Sequence, residues 1–213
     1  KKKAATINRE TGALRQALNL ARKQGRLTRV PYVPMLREDN ARQGFFERAD
    51  FEAVAAKLED PITDIARFAY LTGWRKGEVL PLSWAAIDRS AREIRLTTSK
   101  NGQGRVLGYD EGSEVESLIE HRLKAREFMT RDKQTGISEC VFHRRGAPIV
   151  DFKKAWGQAC KDAKVGKRLF HDLRRTAVRD MVRAGVPQSV AMARARQISF
   201  IVADVQVVDQ FFE

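Results

Sequence analysis

The chain has 213 residues, 43% of them hydrophobic, which suffices for one full-sized domain with an appended segment and argues against wholesale disorder. Lysine and arginine number 40 against 27 acids, a formal charge of +13, and a surplus of that size predicts a polyanionic partner, nucleic acid ahead of a membrane surface. No apolar run approaches the roughly 18–20 residues of a membrane span, and no signal peptide is legible, so a soluble, intracellular protein is expected.

The charge is concentrated at the two ends. Residues 1–50 carry 12 basic and 5 acidic side chains, residues 51–160 carry 18 and 16, and residues 161–213 carry 10 and 6. Such ends suit a path along a phosphate backbone. Cys140 and Cys160 form no CxxC pair and have no histidine beside them, so no zinc site is expected.

In chain order, Lys1, Lys2 and Lys3 open a flexible start, and residues 7–24 read as a helix with Leu14, Leu18 and Ala21 on one face and Gly25 ending it. Arg26 to Gly44, with Pro31 and Pro34, reads as an extended linker, and a domain boundary is placed near residue 44. Phe51, Val54, Ala55 and Leu58 mark the next helix. Another runs from Pro61 in its first turn to Gly73 at its end, burying Ile65, Phe68, Ala69 and Thr72.

Residues 91–109 change period. Glu93 to Leu96 alternates, Asn101-Gly102 supplies turn chemistry, and Arg105 to Leu107 alternates back, predicting a hairpin with Lys100 at or near its tip. There follow a helix near 112–128 (Val115, Leu118, Ile119, Leu123), a loop, a short strand at Val141-Phe142, and a helix over about 151–164 carrying Phe152, Ala155, Trp156 and Ala159. A helix from about 172 to 184 ends at Gly185, and a shorter one starts at Pro187. Ile198 to Val208 is apolar and β-branched and reads as a strand or buried coil, packed on this domain or on a second copy. The fold class expected is α+β, predominantly helical, with one small antiparallel sheet.

Taken singly, the polar residues say little. Arg75 in Leu71-Thr72-Gly73-Trp74-Arg75-Lys76-Gly77-Glu78 sits where surface arginines are common, and Lys100 at a hairpin tip is a usual place for a solvated lysine. His171 and Arg174 in His171-Asp172-Leu173-Arg174-Arg175-Thr176 lie one turn apart on one helix face, which also fits an ordinary helix terminus.

Together, a TGxR motif, a hairpin lysine and HDLRRT followed by a Gly-Val-Pro-Gln break resemble the tyrosine recombinases, the phage-type integrases, from Phe45 to about Met192. Thr6 to Leu20 resembles the last helix of that family's preceding core-binding domain, so the chain is expected to be a fragment. The implied division is residues 1–44 as the end of the core-binding domain with its linker, and residues 45–213 as the catalytic domain. The resemblance implies site-specific DNA cleavage and rejoining through a 3′-phosphotyrosyl intermediate, in a prokaryotic, cytoplasmic, DNA-associated protein of a phage or mobile element. Double-stranded DNA is the implied partner, with a homo-oligomer assembled on it, and no cofactor or metal is implied.

The chemistry suits those residue types. Two guanidiniums clamp the nonbridging oxygens of a phosphorane-like state, and the resemblance assigns this role to Arg75 and Arg174. It assigns Lys100 as general acid for the departing 5′ oxygen, and His171 to hydrogen-bond the phosphate or move the nucleophile's proton.

The tail departs from the pattern. Where the family has a histidine and, about nine residues on, a tyrosine, continuous alignment finds Gln197 and Gln206, and a looser one finds Phe200 at the nucleophile position. The chain's tyrosines are Tyr32, Tyr70 and Tyr109, all upstream. Natural degeneracy, a frameshift, an engineered change or omitted residues all remain open, and the nucleophile is not identified. The expectation is a chain that binds DNA without cleaving it. The alternative is a non-catalytic DNA-binding remnant, and a basic RNA-binding domain stands third, without an RNP pattern or a GxxG loop.

Overall fold

The computed structural model describes residues 3–38, 44–96 and 104–196. Lys100, expected at or near the hairpin tip, and the tail from Gln197 onward, with Phe200 and Gln206, lie outside the described residues. The chain divides into two compact units, Lys1–Gln43 and Gly44–Glu213.

The first unit is one helix, α1 (Ala4–Lys23), followed by an extended segment. Gly25, at φ +72°, closes α1 in the left-handed conformation that glycine adopts without strain. The expected apolar face is not a buried stripe, since Leu14 is 53% exposed. One helix and an extended segment have too little surface to cover such a stripe. The segment is fixed to the helix instead by buried Asn8, whose amide accepts from Leu36 N and donates to Leu36 O, both at 2.7 Å.

In the second unit, α2 (Arg48–Ala55) and α3 (Ile62–Thr72) bury the faces read from the sequence: Phe51, Val54 and Ala55, then Ile65, Phe68, Ala69 and Thr72. After the single-turn α4 (Lys76–Val79) comes a three-stranded antiparallel sheet of β1 (Ile87–Asp88), β2 (Glu93–Leu96) and β3 (Arg105–Gly108). Buried Ile94 faces Leu107 across the β2–β3 hairpin. Helix α5 (Glu114–Lys124) begins with a capping exchange in which Ser113 Oγ accepts from Glu116 N and Glu116 accepts from Gly112 N.

Three readings differ from the sequence expectation. The loop after α5 contains a ribbon, β4 (Glu127–Met129) with β5 (Thr135–Ile137). Val141 and Phe142 are buried but not a strand: Val141 N donates to Leu82 O at 2.9 Å, and the strand pairing falls beyond, in β6 (His143–Arg144) and β7 (Ala147–Pro148). In α6 (Lys153–Asp162), Ala155 is exposed, and the buried stripe is Trp156, Ala159 and Cys160. The three- and four-residue spacing from Trp156 aims Cys160 at the core and leaves Ala155 outside.

Helix α7 (His171–Arg183) packs along α3, and α8 (Gln188–Arg196) follows it after Gly185, at φ +85°. Phe46, Phe51, Phe68, Trp74, Phe142, Trp156 and Leu173 share one core. The unit is α+β and predominantly helical, its three-stranded sheet accompanied by two ribbons. Among the described residues no helix is long and apolar enough to cross a membrane.

Candidate active site

The end of α3 dictates where Arg75 points. Thr72 Oγ1 donates back to Phe68 O at 2.6 Å and accepts from Trp74 N at 3.2 Å, which closes the turn. Gly73 ends the helix at φ +66°, and a Cβ built there would lie 3.2 Å from Ala177 Cβ on α7. Both the left-handed backbone and the approach of α7 therefore favour glycine. Trp74 drops into the core with its ring edge-on to Phe68, 5.4 Å between centroids. With Thr72 and Trp74 both buried, Arg75 is delivered to the surface.

Glu78 then holds Arg75 at both ends. Its carboxylate accepts from Arg75 N at 2.8 Å and from Arg75 Nη1 at 2.9 Å, and Glu78 is buried. A charged pair tied to the backbone and to the head group fixes the direction of the guanidinium. The sequence reading did not single out Glu78. Its signal was available, an acid three residues after the residue that starts a short helix.

His171 and Arg174 occupy one face of the first turn of α7. Arg174 is buried and spans to the other element, donating from Nη1 to Gly73 O at 2.8 Å. Beneath them, Asp172 accepts from Leu169 N at 2.8 Å and so fixes the turn that precedes the helix. Thr176 Oγ1 donates to Asp172 O and accepts from Phe46 N, both at 2.9 Å, and is fully buried. Asp172 and Thr176 are supports that composition and spacing did not reveal.

His171 stays exposed, yet its pKa lies below the ordinary imidazole value. Packing of part of the ring is the largest cause, followed by the positive charge of Arg174. Asp172 opposes them, while Arg75 and Arg175 push the same way as Arg174. The guanidiniums of Arg75 and Arg174 thus both act on one imidazole, and the structure brings Arg75, His171 and Arg174 to one corner between α3 and α7. The hairpin expected to carry Lys100 is present in β2 and β3, with Lys100 itself outside the described residues.

Other titratable groups lie elsewhere. Tyr70 stacks on Phe51 at 4.0 Å and Tyr109 is buried, both with pKa values raised chiefly by burial, which suits packing rather than nucleophilic chemistry. Asp60, Asp64 and His121 have the donor types of a metal site. The buried guanidinium of Arg122 already sits among them, 2.9 Å from Asp60 and 3.5 Å from Asp64, so the cationic place in that cluster is taken by protein.

The sequence profile of the phage integrase family matches residues 49–195. This chain belongs to the phage integrase family. It is 23% identical over 170 residues to the integrase of Salmonella phage P22, covering 77% of this chain and 43% of that protein, so it spans less than half of that relative. In fold it is similar to the Tn1549 transposon integrase in complex with circular intermediate DNA, with a TM-score of 0.69 at 18% identity over 93% of this chain and 73% of that one. It is likewise similar to a lambda integrase tetramer bound to a Holliday junction, with a TM-score of 0.71 at 16% identity over 94% of this chain and 58% of that one. The integrase match spans the TGWR turn and α7, the elements that present the corner described above, and the β2–β3 hairpin between them in the chain.

Proposed function

We propose that this chain carries the phosphate-handling part of a tyrosine-recombinase catalytic domain and acts on duplex DNA. The observation that supports this most is the 2.8 Å bond from Arg174 Nη1 to Gly73 O, which ties the first turn of α7, with exposed His171, to the turn that carries Arg75. The lowered pKa of His171, to which both guanidiniums contribute after burial, agrees with it. Three cationic or hydrogen-bonding groups at one surface corner, held from behind by Glu78, Gly73 O and Asp172, form a preorganised receptor for one phosphodiester.

In the reaction so assigned, Arg75 and Arg174 hold the nonbridging oxygens. A tyrosine oxygen forms the new bond to phosphorus as the bond to the 5′ oxygen breaks. Lys100 gives its proton to the departing 5′ oxygen, and His171 hydrogen-bonds the phosphate or takes the tyrosine proton. A 5′-hydroxyl from the partner strand then reverses these steps and frees the tyrosine. On this reading residues 1–44 are the end of a core-binding domain with its linker, and the protein assembles on DNA as a homo-oligomer.

No tyrosine stands among residues 197–213, where the family resemblance places the nucleophile. This favours a chain that binds DNA without cleaving it. A nicked suicide duplex, mixed with the protein and run on native and denaturing gels, tests both parts. The expected result is a shifted complex that dissociates fully under denaturation. A covalent adduct contradicts the non-cleaving part, and the absence of any shift contradicts DNA binding itself.

A further inference from the structure

Arg75 and Lys76 leave the same turn, and each is held by a carboxylate. Arg75 is tied to Glu78 within the turn, whereas Lys76 reaches a residue 75 positions away, Asp151, and forms an ion pair with it. The Lys76 ammonium also lies over the Phe152 ring, 4.5 Å from its centroid. Asp151 and Phe152 together make a two-walled holder for it, supplied by the segment between β7 and α6.

That holder borders the Arg75–His171–Arg174 corner. The Phe152 ring is edge-on to Phe170 at 4.9 Å, and Phe170 is the residue before His171. Both members of the ion pair face solvent, with side-chain exposures of 35% for Lys76 and 60% for Asp151. Asp151 is anchored independently of Lys76, since the same carboxylate oxygen accepts from Lys153 N at 3.3 Å at the start of α6. The carboxylate therefore stays in place while the flexible four-carbon stem of the lysine can move.

We propose that Lys76 is a second DNA-phosphate contact, next to the phosphate held by Arg75 and Arg174, and that Asp151 is an internal competitor for it in the free protein. The proposal rests on the DNA-binding reading above. An exposed lysine–carboxylate pair is weak, so a duplex phosphate presented beside the corner displaces Asp151, and the strength of that competition lowers the affinity for DNA. The Phe152 ring gives the ammonium a resting place without fixing it as a bidentate partner would.

The test is binding of a random-sequence duplex by fluorescence anisotropy across a salt series, with the whole 213-residue chain and the variants Lys76→Gln, Asp151→Asn, their double and Arg174→Ala. Lys76→Gln should weaken binding and reduce the slope of log K against log salt by about 1. Asp151→Asn should tighten binding about two- to fivefold, the size expected for loss of an exposed competing pair, and most of that gain should vanish in the Lys76→Gln background. If Asp151→Asn tightens binding equally with and without Lys76, the effect is general charge repulsion and the competitor role is overturned. If Arg174→Ala lowers the slope while Lys76→Gln does not, the second contact is overturned and the DNA reading stands. If neither changes it while the duplex still binds, the phosphate site at this corner has failed together with the contact at Lys76. If the parent chain shows no salt-dependent binding, the DNA reading itself has failed.

Discussion

Arg174 Nη1 donates to the carbonyl oxygen of Gly73 at 2.8 Å, joining two residues 101 positions apart in the chain. That bond, with the close approach of Ala177 to Gly73, fits the start of α7, with His171 and Arg174, against the turn at the end of α3 that leads to Arg75. The site is a product of helix–helix packing, and its geometry depends on groups that do not themselves face the phosphate.

Gly73→Ala should therefore damage the fold as well as the site. The added methyl must adopt a left-handed backbone and press on Ala177 at 3.2 Å. The backbone alone costs about 1–2 kcal/mol. Urea unfolding should show a lower midpoint with an unchanged slope, and a midpoint equal to that of the parent protein counts against the close packing described.

Glu78→Gln should leave the fold largely intact but release Arg75. Arg75 N and Arg75 Nη1 bond different carboxylate oxygens, and the amide puts an NH2 donor in place of one of them, so one of the two bonds is lost. DNA affinity should fall by about 1–2 kcal/mol. In a double-mutant cycle with Arg75→Ala, the Glu78→Gln effect should nearly disappear, whereas fully additive losses would mean that Glu78 acts on something other than Arg75.

The depressed pKa of His171 predicts a sign for pH. The unfolded chain takes up the proton at the ordinary imidazole pKa and the folded chain only below it. Stability is then greatest above the ordinary value and falls with decreasing pH between the two values, after which this group has no further effect. An NMR titration should place the imidazole below the free value. Arg174→Ala should raise it, since both a charge and some packing are lost, and a bound phosphodiester should raise it too. A pKa that falls when Arg174 is removed contradicts the assigned cause.

Thr176→Val keeps the shape of a fully buried side chain while removing the acceptor for Phe46 N. A buried N–H left without a partner costs about 1–3 kcal/mol. Thermal unfolding should show this loss. An unchanged midpoint would mean that the segment before α2 is held instead by the bond from Arg179 Nη2 to Phe46 O, at 2.7 Å, and by the Phe46 ring, edge-on to Trp156.

Much of this was legible in the chain where physical signals were strong. Pro61 and Gly73 bracket α3, and Gly185 ends α7. The alternation around Ile94 and Leu107 marks the hairpin, and the three-residue step from His171 to Arg174 puts both on one helix face. The β4–β5 and β6–β7 ribbons were not legible, because strands of two or three residues carry too little alternation. They depend on Gly136 and Gly146 making room for the Phe128 ring, where an added Cβ would come within 2.6 and 2.2 Å of Cζ. Asp172 and Thr176 were missed for a related reason. Their roles consist of hydrogen bonds to backbone groups, some distant in sequence, and residue type alone does not announce these.

Salt-dependent duplex binding by the parent chain, Arg75→Ala, Arg174→Ala and the double variant tests most directly whether Arg75 and Arg174 serve a single phosphate. Each single change should reduce the slope of log K against log salt by about 1 or less, and the double should lose less affinity than the sum of the singles, because both guanidiniums grip the same group. Strictly additive losses, or slopes equal to that of the parent, would contradict a shared phosphate at this corner.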